Sequence, residues 1–193
     1  MTDREESAVA RAAGSPRSAF RWLWPLVAVA ALAGCSSSPA NYVSVTRAGQ
    51  LIPPGLRQPA QAVSANDASG HPTPLLVADG RPKLINFFAG WCPPCRDEVP
   101  GLETIAEEFQ GRLDVIGVDT KEDRDSSLSF IRNYGIRYRV VFDPNGVVPQ
   151  RLAHLAPING LPLSVLVDSS GRIAAFYSGM VLPADLRHVI PEL

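Results

Sequence analysis

Hydrophobic and polar positions alternate between two periods along this chain. Lys83-Leu84-Ile85-Asn86-Phe87-Phe88-Ala89 is almost continuously apolar, as in a strand buried on both faces. The next segment changes period. Val99, Leu102, Ile105, Ala106 and Phe109 recur every three or four residues and predict a helix from about Pro93 to Phe109. Leu113 to Asp119 reads as a second buried strand. Ser126 to Tyr134 reads as a helix with Leu128 and Ile131, and also Phe130, turned inward and Gly135 as its stop. Tyr138–Phe142 predicts a strand and Val147–Leu155 a short helix. Leu163–Asp168 and Ile173–Tyr177 form a hairpin about Ser169-Ser170-Gly171, and Pro183–Ile190 closes the chain as a helix. Strands alternating with helices, followed by a hairpin and a helix, imply a three-layer α/β domain with a mixed sheet.

The pattern is weaker before Lys83. Gln61–Ser64 and Leu75–Val77 are short apolar stretches, separated by the turn-rich Asn66–Pro72, and suggest a strand or hairpin extension. Residues 35–59 are rich in Pro, Ser, Gln and Ala and read as a flexible tether, which places the folded domain at 60–193. Ahead of them, Arg4, Arg11, Arg17 and Arg21 precede an uncharged run from Trp22 to Gly34. That run is short for a permanent span, which needs about 20 residues. A basic start, a short apolar stretch and small residues at its end read as an export signal over 1–34. Leu32-Ala33-Gly34-Cys35 resembles a bacterial lipobox, in which the chain is cut before Cys35 and its sulfur is lipidated. An uncleaved anchor, or a signal with an unrelated cysteine, is the alternative.

Composition narrows the chemistry. The net charge is −1 with no basic block, which argues against nucleic acid as a partner. Three cysteines are too few for a disulfide-stapled scaffold. A structural zinc site needs about four ligands, and His71, His154 and His188 are widely scattered, so no metal and no cofactor is expected.

The pair Cys92-Pro93-Pro94-Cys95 lies where the first buried strand gives way to the first helix. A helix N-terminus carries partial positive charge and lowers a thiol pKa, and proline is tolerated in the first turn. Cys92 is therefore expected as the exposed nucleophile, with Cys95 one turn later, more buried, and in reach to resolve a mixed disulfide.

The run from Leu84 through Trp91-Cys92-Pro93-Pro94-Cys95 to Pro100 resembles the thioredoxin superfamily, and within it the TlpA/ResA-like branch. The likeness extends from about Ala60 to the C-terminus. It implies a thioredoxin fold, with a mixed central sheet flanked by helices on both faces. Pro100 stands where the family's helix is kinked, Asn86 where cytoplasmic thioredoxins carry a buried Asp, and Gly160-Leu161-Pro162 is similar to the family's cis-proline loop. Leu163 departs from the Thr or Glu usual after that proline. Glu98 stands where the branch often has an acidic residue beside the redox pair; an ordinary solvated helix charge is its other reading.

By this resemblance Cys92 and Cys95, with Glu98, would carry thiol–disulfide exchange. Trp91, Pro93, Pro94, Leu161 and Pro162 would meet the substrate. The implied protein is an exported oxidoreductase anchored to the outer face of the cell membrane through Cys35. It would reduce disulfides of apocytochrome c in cytochrome c maturation and draw electrons from a membrane thiol carrier. The same chemistry run in reverse, as an oxidase or isomerase for exported proteins, is an alternative. A copper chaperone on this fold is another, although it would want Cys-x-x-x-Cys and a dedicated His. A peroxidase of the peroxiredoxin type would want Pro-x-x-x-Thr-x-x-Cys, which the residues before Cys92 do not supply.

Overall fold

The computed structural model describes residues 43–44, 49–153 and 158–193. Cys35, the signal-like segment 1–34, most of residues 35–48 and His154 lie outside the described residues. Nine strands form one sheet among the described residues. In chain order they are β1 (Val43–Ser44), β2 (Gly49–Leu51), β3 (Ser64–Asn66), β4 (Pro72–Pro74), β5 (Lys83–Phe88), β6 (Asp114–Thr120), β7 (Arg139–Asp143), β8 (Leu163–Val167) and β9 (Ile173–Ser178). Their order across the sheet is β1-β2-β9-β8-β5-β6-β7-β3-β4. β5, β6 and β7 are parallel, and β8 joins β5 antiparallel. This is the mixed sheet of a thioredoxin fold.

β5 sits centrally because all six of its residues are apolar or paired, and all six are buried. One face of the sheet presents Ile85, Phe87, Ile116, Val118 and Val165 to helix α3 (Val147–Leu152). The other presents Leu84, Val115, Leu166 and Tyr177 to α1 (Pro93–Glu108) and α4 (Pro183–Arg187). A third apolar group joins Phe88, Ala89, Cys92, Cys95 and Val99 to Phe130 of α2 (Arg124–Tyr134). The Asp123 side chain caps α2 by accepting from the N–H groups of Asp125 and Ser126, and Gly135 ends it at φ +63°. Phe130 is the buried apolar anchor of α2, whereas Leu128 and Ile131 are only partly covered.

Three expectations change before Lys83. The first strand of the extension is Ser64–Asn66 rather than Gln61–Ser64, and it pairs with β4 across a turn in which Asp67 Oδ1 accepts the N–H groups of Ser69 and His71. Leu75–Val77 is not a strand. The strand lies earlier, at Pro72–Pro74 on the edge of the sheet, where proline is tolerated, and Leu75 and Leu76 drop into the core as buried loop residues. The tether also gives way to sheet earlier than Pro59. β2 pairs with β9, and Pro54–Leu56 forms a 3₁₀ turn. Arg57 is then buried against Asp168, Nη1 to Oδ2 3.1 Å.

Candidate active site

The C-terminal ends of β5 and β6 deliver the candidate residues to one edge of the sheet. β5 ends at Phe88, and Ala89-Gly90-Trp91 turns the chain into α1, with Cys92 as N-cap in extended conformation. Cys92 and Cys95 form a disulfide, with their Cα atoms 5.3 Å apart. The expected exposed nucleophile is nearly covered: Cys92 is 4% exposed and Cys95 1%. In the disulfide the Cys92 sulfur is committed to Cys95, and both cysteines pack in the apolar group that Leu161 adjoins.

Prolines fill the first two positions of α1, so this helix start lacks two of the N–H groups a helix usually presents. The first available amide, Cys95 N–H, donates to the Cys92 carbonyl at 3.2 Å. A Cys92 thiolate would therefore be stabilised by the helix dipole more than by direct amide donors.

Glu98 is buried (2% exposed) and is not a solvated helix charge. Its Oε1 accepts Val181 N–H at 2.7 Å, and its Oε2 accepts Asn86 Nδ2 at 2.9 Å. Asn86 Nδ2 also reaches Ser164 Oγ at 3.0 Å, so the amide bridges side chains rather than satisfying backbone. Burial pushes the Glu98 carboxyl up to about 7 against the lowering effect of its two donors.

The Leu161–Pro162 peptide is cis. The Pro162 carbonyl accepts Gly179 N–H at 2.9 Å, while no hydrogen bond of the Leu161 backbone occurs among the described residues. Trp91 is exposed, and its Nε1 donates to the Lys121 carbonyl at 3.3 Å. A mainly apolar groove of about 350 Å³ runs beside it, lined by Trp91, Lys121, Pro149, Ile158, Leu161 and Leu163. Among the described residues, no group of three or more His, Cys, Asp and Glu is placed to hold a metal ion. No helix there is long and apolar enough to cross a membrane.

Two acidic residues at this edge escaped the sequence pattern. Glu122 Oε2 accepts Gly90 N–H at 2.8 Å, directly ahead of Trp91 and Cys92. Asp119, near the end of β6, is buried, and neither of its carboxyl oxygens has a hydrogen-bond partner within normal geometry among the described residues. The available signal was positional: an acidic run follows a parallel strand at its carboxyl end, where sites in open α/β sheets gather.

The AhpC/TSA family model matches residues 56–176. The chain belongs to the AhpC/TSA family. It is 37% identical over 113 residues to the thiol:disulfide interchange protein DsbE homolog of Paracoccus denitrificans, covering 58% of this chain and 59% of that one. It is 38% identical over 95 residues to the thiol:disulfide interchange protein CycY of Rhizobium leguminosarum, covering 49% and 48%. The chain thus spans about half to three-fifths of the length of these two relatives. The thiol-disulfide oxidoreductase ResA of Bacillus thuringiensis is also similar, at 25% identity over 108 residues, covering 55% and 60%. Such relatives agree with a TlpA/ResA-like branch of this thioredoxin-like family. A solved DsbF homologue from Corynebacterium diphtheriae superposes with a TM-score of 0.68 at 22% identity, covering 82% of this chain and 96% of that one, which shows the shared fold.

Proposed function

We propose that this member of the AhpC/TSA family is an extracytoplasmic thiol–disulfide oxidoreductase held to the membrane through Cys35. We further propose that it works as a reductase of protein disulfides in cytochrome c maturation. The observation that carries the redox reading is the Cys92–Cys95 disulfide at the start of α1. The chemistry balances within that pair. In the reduced protein the Cys92 thiolate attacks a partner disulfide; one partner sulfur leaves as thiolate, and a mixed disulfide remains. Cys95 loses its proton and attacks Cys92 Sγ, expelling the second partner thiolate. The partner gains two electrons and two protons, and the Cys92–Cys95 bond re-forms. A membrane thiol carrier would return it to the dithiol. Trp91, Pro93, Pro94 and the Leu161 backbone beside Pro162, which has no hydrogen bond among the described residues, would meet the substrate chain, by strand pairing at that edge.

Apocytochrome c as substrate rests on the likeness to the TlpA/ResA-like branch, and the lipid anchor rests on the Leu32–Cys35 run. The deciding experiment measures the Cys92–Cys95 reduction potential and traps partners with Cys95→Ser. A potential near the thioredoxin end, about −270 mV, with apocytochrome c trapped, is the expected result. A value near −120 mV, with unfolded exported proteins trapped, would reverse the direction to oxidation. For the anchor, Cys35→Ala is expected to abolish processing and membrane fractionation; unchanged fractionation would remove the lipid attachment.

A further inference from the structure

The chain enters α1 through a tight turn, Ala89-Gly90-Trp91-Cys92, closed by the Cys92 N–H on the Ala89 carbonyl at 3.1 Å. Packing demands glycine at its second position. A Cβ on Gly90 would lie 3.1 Å from both Glu122 carboxyl oxygens and 3.2 Å from Phe130 Cβ. Glycine also has the widest backbone freedom of any residue, and this one stands two places before Cys92. Two side chains of opposite charge remove that freedom. Glu122, in the loop after β6, accepts the Gly90 N–H through Oε2 at 2.8 Å. Arg96, in α1, donates from Nε to the Gly90 carbonyl at 2.6 Å. The peptide units on both sides of Gly90 are thus held, each by a charge-assisted hydrogen bond, a kind shorter and stronger than a neutral one. Arg96 grips the turn twice, because its backbone N–H also donates to the Cys92 carbonyl at 3.3 Å. Next to Glu122, Lys121 stands at φ +58°, a region that a residue with a side chain takes up only at a cost. Its carbonyl takes the Trp91 indole N–H at 3.3 Å.

In the oxidised protein the bond to Cys95 fixes Cys92. Reduction removes that bond, and the place of the Cys92 sulfur then depends on the turn behind it. We propose that Arg96 and Glu122 are a pair of positioning residues: holding Gly90 from its two polar sides, they keep Cys92 at the N-cap of α1, in line with an incoming disulfide, once its own disulfide is open. The consequence for exchange rests on the redox reading of Cys92 and Cys95; the holding of the turn does not. The step itself is the one given above, with the Cys92 thiolate attacking one partner sulfur and the other leaving as thiolate. A nucleophile held in line for that displacement reacts faster, and a misplacement of about 1 Å can cost about a hundredfold. The N-cap position also sets the thiolate at the positive end of the helix, so a Cys92 that drifts from it is a weaker acid.

The test follows Cys92 alkylation by iodoacetamide against pH in the full chain carrying Cys95→Ser. It is read on the Cys92 peptide by mass spectrometry, so that Cys35 does not contribute. The opposite charges of the two side chains separate positioning from a field effect. Acting through their fields alone, Arg96→Met would raise the Cys92 midpoint and Glu122→Ala would lower it. Acting through the turn, both raise it, and that is the expected result. Arg96→Lys and Glu122→Gln, which keep a donor and an acceptor for Gly90, should stay close to the parent. Opposite shifts, a shift in one of the first two variants alone, or superimposable profiles would overturn the proposal. Should Glu122→Ala fail to fold, Glu122→Gln decides: a parental midpoint supports positioning, and a lowered one overturns it. With Cys95 restored, the reduced protein is mixed in single turnovers with an oxidised Cys-x-x-Cys-His peptide, the attachment motif of c-type haem. Arg96→Met and Glu122→Ala should each lower the maximal rate by about tenfold or more, with the half-saturating concentration little changed. A loss confined to half-saturation would make the two residues substrate contacts and overturn the positioning role. A parent chain that reduces no disulfide, in a protein where both midpoints rise, would count against the redox reading alone.

Discussion

Glu98 combines two properties that pull against each other. It is buried one turn after Cys95, yet two N–H donors hold it in the geometry of a carboxylate. Burial wins, and the carboxyl rises from 4.5 to about 7. The unfolded chain therefore releases this proton before the folded one does. Stability contributed by protonated Glu98 is full below about pH 4.5 and is lost as pH rises through about 7. Glu98→Gln does not titrate, so its stability relative to the parent should climb across that window, by up to about 3 kcal/mol. Urea unfolding of both proteins at the two ends of the window measures this, and parallel stabilities would show that Glu98 carries no raised pKa. The substitution should also lower a cysteine pKa and slow exchange, because a nearby negative charge disfavours thiolate and a carboxyl can take the Cys95 proton. Resemblance to the TlpA/ResA-like branch is what singles out Glu98 in the sequence. Its burial does not show there, since the groups that enclose it come from Asn86 on β5 and Val181 after β9.

At the scale of elements, legibility follows the length of the hydrophobic period. β5, β6, α1 and the β8–β9 hairpin carry long unbroken patterns, and their residues appear in the structure within about one position of the expected bounds. β2, β3 and β4 have three residues each and are interrupted by proline or polar positions, too short to establish a period. The start of α1 shows a subtler gap. A helix N-terminus invites the expectation of free amides around the nucleophile, whereas Pro93 and Pro94 withdraw two of them. Restoring one should matter. In Pro93→Ala or Pro94→Ala the new N–H becomes available to a Cys92 thiolate, and a hydrogen bond to a charged group is worth about 1.5–3 kcal/mol. The Cys92 pKa should fall by about one or more. Iodoacetamide alkylation of Cys95→Ser carrying either substitution, followed against pH, reads this directly; an unchanged midpoint would mean the added amide does not reach the sulfur.

At the scale of the whole molecule, the fold begins before the boundary that composition suggests. A Pro- and Gln-rich stretch reads as tether because it offers few large apolar residues, yet residues 49–59 attach to the sheet mainly through backbone and one ion pair. β2 pairs with β9 from Gly49↔Tyr177 to Leu51↔Ala175, and Ile52 N–H extends the ladder to the Ala174 carbonyl at 2.8 Å. Arg57 then lies buried over Asp168, its Nη1 3.1 Å from Oδ2 and its Nε 3.2 Å from the Ile52 carbonyl. Backbone pairing leaves little trace in composition, and a lone arginine resembles a solvated charge until its partner 111 residues away is brought beside it. Removing one member of a buried pair leaves the other uncompensated, typically at a cost of about 3–5 kcal/mol. A chain starting at Ala60 would lose Arg57, the β2 pairing and the buried Ile52 together, and would expose the β9 edge. It should be less stable than a chain starting at Val43 by at least about 3 kcal/mol. Arg57→Met in the longer chain isolates the ion-pair share and should account for much of that loss, since it retains the strand and most of the side-chain volume. Urea unfolding of the three proteins gives the comparison, with midpoints and slopes fitted together because the shorter chain exposes less surface. Equal stabilities in all three would make residues 49–59 a tether resting on the domain; a loss in the Ala60 chain alone would assign the stabilisation to strand pairing rather than to Arg57.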